Sequence, residues 1–230
     1  GRLVFYFDST YMLFVLPALV FALWAQARVR SAWQTYSRLR SNGGRPAYEV
    51  AAGLLRQAGL GDVRIEKVAG ELSDHYDPRN RTLSLSQSTY GSESVGALAI
   101  AAHEVGHAVQ HNVGYAPLAL RNSFVPVVNI GSSLAVPLFI MGLFMNLTTL
   151  MDLGILLFLA AVIFQVITLP VEYNASRRAI GMLETSGYIS SSEVVPVGNM
   201  LNAAALTYVA ATAMALGQLV RLVALRGRRD

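Results

Sequence analysis

Residues 99–111 read AIAAHEVGHAVQH, and this stretch decides how the rest of the chain is interpreted. His103 and His107 are four residues apart, so on an α-helix they lie on one face, about 6 Å apart along the axis. Two imidazoles at that spacing can bind one Zn²⁺. Glu104 is then placed to act as a general base, taking a proton from the attacking water and passing it to the leaving amine. The pattern predicts a metal site on a helix from about Glu93 to Asn112.

The residues before the two histidines help to separate a metal site from a chance pattern. A charged surface helix can carry HExxH by accident, but residues 95–102 read VGALAIAA, which predicts a buried helix. A buried set of two histidines and a glutamate without a ligand would be energetically costly. We therefore favour the metal site.

A hydrolytic zinc centre usually has three protein ligands, so a third residue must complete the set. His111 continues the series but lies about 40° further round the helix, so we expect it on the helix surface or beside a ligand. Glu172 is the better candidate, because two apolar stretches between His107 and Glu172 cross the membrane and bring the chain back. A carboxylate beside a membrane helix needs a partner. The alternative is an ion pair of Glu172 with Arg177 or Arg178.

The composition independently predicts a membrane protein. Apolar residues make up 53% of the chain and charged residues 14%, and the mean hydropathy is +0.44, all beyond the usual range of soluble domains. Uncharged stretches approach the ~20 residues that span a bilayer. They cover residues 11–27, 123–145, 153–170 and 203–220. We interpret the first, with its aromatic shoulder Phe5–Phe7, as an anchor rather than a removed signal peptide; the last is the weakest span.

These observations predict a mainly α membrane protein with about four transmembrane helices. A small α+β zincin-like domain, made of the HExxH helix and a short β-hairpin, completes the expected fold. The predicted segments are an N-terminal transmembrane helix (1–30), a water-facing zincin-like domain (31–118), a transmembrane helical hairpin (119–171), a third-ligand segment (172–202), and a C-terminal membrane helix with a basic tail (203–230).

Two patterns give local structure to the water-facing segment. Pro46 and Gly59 enclose an apolar periodicity and predict a helix between them. VRIEKV (63–68) and TLSLS (82–86) alternate in period two around the turn-forming DPRN, which predicts a β-hairpin. The second strand is a candidate for main-chain pairing with an extended substrate; its alternative role is simply to cover the helix. The residues of this possible substrate edge strand are Thr82, Leu83, Ser84 and Leu85.

The basic residues predict which side of the membrane carries the site. Eleven of the 18 lysines and arginines lie between Arg28 and Arg121, so the positive-inside rule places that segment and the site in the cytoplasm. A full crossing by residues 203–220 puts the basic tail outside, against the same rule. Either residues 203–220 do not span the membrane, or the basic residues between Arg28 and Arg121 determine the orientation of the chain. The basic excess flanks apolar stretches, so nucleic-acid binding is not expected.

Some further residues are candidates for stabilising the oxyanion of the reaction. His75, in the sequence SDHYDP, either donates to the oxyanion or caps its turn, and we favour the turn. Tyr173 and Tyr208 are further candidates, with core packing as the alternative for each. The chain has no cysteine, which excludes thiolate ligands and a cysteine nucleophile.

Several ordered blocks of sequence resemble one known family, the YugP-type membrane zinc metallopeptidases, also called neutral zinc metallopeptidase 2. The blocks are FYFDSTYMLFVLP, LSDHYDPRNRTLSLS, AAHEVGHAVQHNVGYAPLALRN, LPVEYNASRRA and NAAALTYVAA. This family is more distantly similar to the HtpX-like and CAAX prenyl proteases, whose third ligand is the glutamate of an E-x-x-A-D pattern. Glu172 matches that glutamate, but Ser176 stands where those relatives have aspartate. The resemblance therefore implies that the groups hydrogen-bonded to the metal ligands differ from those of these relatives. Asn174 can be one of these groups.

The residues and the resemblance together predict a membrane-embedded, zinc-dependent endopeptidase with one Zn²⁺. Its expected partners are the lipid bilayer and polypeptide substrates, either membrane proteins or their membrane-proximal parts, in a bacterial cell membrane; complex partners are unidentified. The alternative is a non-catalytic adaptor that the metal stabilises and that binds other membrane proteins. A purely structural site has no need of the base Glu104, which argues against the adaptor. A transporter is disfavoured because paired intramembrane charges and internal repeats are missing from the sequence.

Overall fold

The computed structural model describes residues 8–228 and is mainly helical. The predicted aromatic shoulder Phe5–Phe7 lies outside the described residues. In chain order, the helices and strands are a π-helical turn Tyr11–Val15, α1 (Leu16–Tyr36), α2 (Ala47–Gln57), β1 (Arg64–Val68), β2 (His75–Asp77), β3 (Thr82–Ser86), α3 (Gln87–Tyr90), α4 (Val95–Asn112), α5 (Ala116–Met145), α6 (Thr148–Thr185), a 3₁₀ turn Ser191–Glu193 and α7 (Val194–Gly227).

Four helical segments among residues 8–228 are long and apolar enough to cross a membrane. They are Tyr11–Tyr36, Ala116–Met145, Thr148–Thr185 and Ser191–Gly227. The predicted fold class, a mainly α membrane protein with a small α+β part, is confirmed. Each helix is longer than the uncharged stretch that predicted it, because polar residues at its ends continue the backbone hydrogen bonding. Between α5 and α6 only Asn146 and Leu147 remain outside the helices.

The chain forms two compact units. The helical unit comprises the residues up to Gln26, residues 119–170 and the residues from 207 onward. Its buried apolar cluster consists of Phe139, Met151, Leu222 and Leu225. Gly154 allows the backbone of α6 to approach that of α5 closely, because a β-carbon at this position would lie 2.6 Å from the carbonyl oxygen of Ala135. Small residues at such contacts are typical of packing between membrane helices.

The mixed unit comprises residues 27–118 and 171–206 and contains the sheet, whose strand order is β1-β3-β2. The predicted hairpin exists, but its strands are β2 and β3, which pair antiparallel around Asp77–Arg81. The prediction that VRIEKV is its first strand is wrong, since β1 pairs with β3 in parallel. The chain reverses twice between β1 and β3, so these two strands run in the same direction.

The structure also contradicts the assignment of Thr82, Leu83, Ser84 and Leu85 as an edge strand. β3 is the middle strand of the sheet, and all five of its residues are buried. Its two edges are already hydrogen-bonded to β1 and β2, so it has no edge left for the main chain of a substrate. The alternative role, a strand that covers the HExxH helix, agrees with this placement.

Helix α4 runs through the core of the mixed unit. Its start is fixed by Ser94, whose side-chain oxygen accepts a hydrogen bond from the backbone N–H of Ala97 at 3.1 Å, an N-cap. Its end is followed by Gly114 in the left-handed region, with φ of +65°, as is common after helices. Around it the core contains buried side chains from helices and sheet, among them Leu54, Leu83, Leu85, Leu98, Leu183 and Met200.

Candidate metal centre

His103 and His107 lie on consecutive turns of α4, as their spacing predicts. Their ring centroids are 4.7 Å apart and the ring planes are nearly perpendicular, at 89°. Each of the two side chains is only 14% exposed to solvent, because the small residues of α4 bury the helix in the core. Two imidazoles are therefore held side by side at the edge of the protein interior.

Glu172 reaches the same point from α6. Its Oε2 lies 2.9 Å from His103 Nε2 and 3.3 Å from His107 Nε2, and the residue is 3% exposed. The alternative that Glu172 pairs with an arginine is not seen in the described part of the chain. Arg178 instead donates from Nε to Asn174 Oδ1 at 2.8 Å.

Close contact between α4 and α6 makes this convergence possible. A β-carbon at Gly106, between the two histidines, would lie 2.6 Å from the backbone oxygen of Ala175. Real atoms do not approach so closely, so only glycine permits this helix spacing. The backbone contact brings the turn of α6 that carries Glu172 against the turn of α4 that carries the histidines.

The other ring nitrogen of each histidine has its own partner. His103 Nδ1 lies 3.0 Å from Ser176 Oγ, and His107 Nδ1 lies 2.9 Å from Gln110 Oε1. These contacts orient both rings so that the Nε2 atoms face Glu172. Outer hydrogen bonds of this kind are typical of metal-binding histidines.

Glu104 lies between the two histidines in sequence and is 9% exposed. Burial raises the pKa of its carboxyl group above the ordinary value, against the opposing influence of His107 and His103. Its carboxylate has no hydrogen-bond partner among residues 8–228. A buried carboxyl group with a raised pKa beside two histidines is typical of a functional site.

The electrostatics of His107 show that the site favours positive charge. Burial by itself lowers the pKa of His107, but the hydrogen bond to Glu172 and the charge of that carboxylate outweigh it and raise the pKa to about 9. A carboxylate that stabilises an imidazolium so strongly also favours a cation. A metal ion would compete with that proton for the same Nε2 atom.

The donor set fits zinc. The atoms offered by His103, His107 and Glu172 all lie within 4.8 Å of one another. Ligands at zinc distances of about 2.0 to 2.1 Å in tetrahedral geometry are separated by roughly 3.3 Å, close to the 3.3 Å between His107 Nε2 and Glu172 Oε2. Two nitrogens and one carboxylate oxygen leave a fourth position open, which is the pattern of catalytic rather than structural zinc.

The other candidates from the sequence are placed in different surroundings. His75 is exposed, and its Nδ1 donates to the backbone oxygen of Ser73 at 2.9 Å, consistent with the turn role. His111 Nδ1 lies 3.0 Å from the hydroxyl of Tyr76 on β2. Tyr173 is 39% exposed and lines a cavity of about 530 Å³. Tyr208 belongs to the helical unit, and its oxyanion role stays a prediction.

Sequence reasoning missed Gln110, which is fully buried at 0% exposure. Its Nε2 donates to the backbone oxygen of Val171 at 2.8 Å and to Asn174 Oδ1 at 3.0 Å. The available signal was its position three residues after His107, one turn along the same helix face. A glutamine there is ordinary on a surface helix, so the sequence alone gave no reason to choose it.

Comparison with known proteins agrees with the geometry of the site. The model of a family described as "Putative neutral zinc metallopeptidase" matches residues 11–227. The chain is 46% identical over 215 residues to the "Putative membrane protease YugP" of Bacillus subtilis (strain 168), covering 92% of this chain and 96% of that protein. No solved structure matches the chain. From the histidine pair, the converging glutamate and these matches together, the chain belongs to the YugP-type family of membrane zinc metallopeptidases.

Proposed function

We propose that the chain is a membrane-embedded zinc endopeptidase whose single zinc ion is held by His103, His107 and Glu172. This is a gluzincin-like set of two histidines from one helix and a glutamate from another. The observation that carries the proposal is the convergence of their Nε2 and Oε2 atoms at 2.9 and 3.3 Å. The family match supports zinc as the metal.

Zinc, when bound here, supplies a Lewis acid that polarises the scissile carbonyl and makes a water molecule more acidic. The chain supplies the proton transfer. Glu104 accepts the water proton on its carboxylate and donates it to the nitrogen of the leaving amine. The raised pKa of Glu104 suits this double role, because a base with a higher pKa retains the proton long enough to deliver it.

The surrounding residues keep this arrangement in one geometry. Ser176 and Gln110 hold the two imidazole rings at their Nδ1 atoms, so that the Nε2 atoms do not need to reorient during turnover. The buried α4–α6 contact excludes bulk water from one side of the site. Pre-positioned groups of this kind reduce the reorganisation that the reaction requires.

The substrate that we propose is a membrane protein, or the membrane-proximal part of one, cleaved on the cytoplasmic side of a bacterial membrane. The four apolar helices support a bilayer location. Residues 27–118 of the mixed unit carry ten of the chain's 18 basic residues, which supports cytoplasmic exposure of this unit. The description of the family as a zinc metallopeptidase supports a polypeptide substrate.

The test compares cells that produce the wild-type chain, Glu104→Gln and Glu71→Gln. Glu71 is an exposed glutamate outside the site, so its variant controls for loss of an acidic residue. Quantitative proteomics of the membrane fraction should show precursors that accumulate, and fragments that disappear, only with Glu104→Gln. The purified Glu104→Gln protein should keep its zinc, because Glu104 is not a ligand. Identical precursor and fragment patterns for all three would instead support the non-catalytic adaptor.

A further inference from the structure

A chain of partly buried hydrogen bonds connects an arginine on α6 with one of the proposed metal-binding histidines on α4. Arg178 Nε bonds Asn174 Oδ1 at 2.8 Å, and Gln110 Nε2 bonds the same oxygen at 3.0 Å. Gln110 Oε1 then lies 2.9 Å from His107 Nδ1. The direction of each bond in this chain can be derived from its first member.

Arginine has only donors, so the Asn174 atom that faces Arg178 must be the acceptor Oδ1. The Gln110 atom that faces this oxygen must then be the amide nitrogen. The backbone oxygen of Val171, 2.8 Å from the same nitrogen, imposes the same orientation independently. Both hydrogens of the Gln110 amide are thereby used, and its Oε1 can only accept.

The acceptor at Gln110 Oε1 determines which ring nitrogen of His107 carries a hydrogen. A nitrogen that faces an acceptor carries the hydrogen, so Nδ1 is protonated, and Nε2, which faces Glu172 Oε2 at 3.3 Å, is the nitrogen left to bind a metal ion. Rotating the Gln110 amide by half a turn would place its oxygen against Val171 O and Asn174 Oδ1. With Gln110 fully buried, no water could compensate for those contacts.

We infer that Arg178, Asn174 and Gln110 act together as positioning residues that lock His107 in the tautomer whose Nε2 binds the metal. The inference rests on the proposed zinc site. Ser176 does not impose the same restriction on His103, because a hydroxyl can donate or accept. The same bonds also tie α4 to Val171 and Asn174, on either side of Glu172, so histidine and glutamate ligands are positioned by one amide.

The test measures zinc affinity of the full chain by competition with a chelator. Gln110→Met keeps the size of the side chain but removes its amide, and Asn174→Leu removes the acceptor. Both should weaken zinc binding by about 10- to 100-fold, the usual effect of losing an outer contact to a metal ligand. Asn174→Asp keeps an acceptor for Gln110 and Arg178 and should bind zinc within about threefold of the wild type. Glu184→Gln, at an exposed position of α6, is the control.

A second measurement does not depend on any variant. Ring ¹⁵N shifts of the zinc-loaded wild-type chain should show His107 protonated at Nδ1 and metal-bound at Nε2. The inference is overturned if His107 binds through Nδ1, or if Gln110→Met and Asn174→Leu bind zinc as tightly as the wild type. A wild-type chain that binds no zinc would instead overturn the proposed function. The two failures are therefore distinguishable, and the wild-type spectrum decides the matter if a variant does not fold.

Discussion

Gly106 on α4 and Ala175 on α6 form a backbone contact that leaves no room for a side chain, since a β-carbon at Gly106 would lie 2.6 Å from Ala175 O. The proposed metal ligands stand on both sides of this contact, with His103 and His107 on one helix and Glu172 on the other. The separation of the two helices therefore sets the distances within the donor set. A side chain at position 106 would therefore change the distances within the donor set by moving the two helices apart.

Gly106→Ala should push the two helices apart and weaken zinc binding. The added methyl group meets backbone atoms that cannot rotate away, and such overpacking costs about 1–3 kcal/mol. Thermal unfolding and chelator competition on the purified protein measure both effects. Gly181→Ala on α6 is the matched control, because its β-carbon would meet nothing within 4 Å. That change should be neutral or stabilise the helix by up to about 1 kcal/mol; equal losses in both variants would show that the Gly106 contact is unimportant.

Ser176→Ala should lower zinc affinity by about tenfold, because His103 Nδ1 would lose its partner at 3.0 Å. Ser176→Asp should restore or tighten binding, since a carboxylate accepts from Nδ1–H more strongly than a hydroxyl. Chelator competition measures both. Ser123→Ala serves as a control, because within residues 8–228 that hydroxyl donates to Leu120 O of its own helix. An unchanged zinc affinity in Ser176→Ala would show that Ser176 does not support His103 as a metal ligand.

Removal of zinc should destabilise the chain, and its return should restore the stability. A ligand that binds only the folded state adds about 2.7 kcal/mol at a free concentration 100 times its Kd. The melting temperature should therefore rise with zinc in the wild type and in Glu104→Gln, whose altered residue is not a ligand. It should not respond in His103→Ala. A response to zinc in His103→Ala equal to that of the wild type would place the stabilising ion elsewhere.

The four-helix arrangement predicts that α7 crosses the membrane completely. Within the helical unit, Arg226 Nε lies 2.9 Å from Asp152 Oδ1 near the α5–α6 connection, and Arg228 lies 3.6 Å from Asp8. The Arg226–Asp152 pair places the end of α7 beside the start of α6. The positive-inside rule counts lysine and arginine and is not offset by acids, so the basic residues of the mixed unit must outweigh those of the tail. The ends of α5 and α7 should thus emerge on the same, external side.

Single cysteines test this topology, because the chain has no native thiol. Thr148→Cys and Gly227→Cys should react with a membrane-impermeant maleimide added to intact cells. Ser73→Cys, at an exposed position of the mixed unit, should react only after the cells are permeabilised. Labelling of Ser73→Cys in intact cells would place the proposed active site outside.

The sequence was sufficient to predict those features that depend on local patterns. Pro46 and Gly59 enclose α2, and Gly114 follows α4, because caps and left-handed glycines act within one helical turn. His103 and His107 share a helix face for the same reason. Glu172 could be proposed as their partner because a double membrane crossing constrains where the chain returns.

Features that depend on distant partners could not be predicted in the same way. Alternation identifies β1 and β3 as strands, but it does not reveal that β2 lies between them in sequence and that they pair in parallel. The role of Gln110 depends on Val171 and Asn174, more than sixty residues away along the chain. No spacing rule connects a glutamine with such partners, so only the packing of α4 on α6 reveals it.

The most direct test of the shared-ion site is the zinc content of purified wild type, Glu172→Gln and Glu184→Gln, measured by mass spectrometry of the metal. The two glutamates lie on the same helix, but Glu172 is buried against the histidines and Glu184 is exposed. We predict one zinc ion per chain in the wild type and in Glu184→Gln, and little or none in Glu172→Gln under the same chelator wash. Full zinc occupancy in Glu172→Gln would contradict the claim that one ion is bound jointly by the histidine pair and this carboxylate.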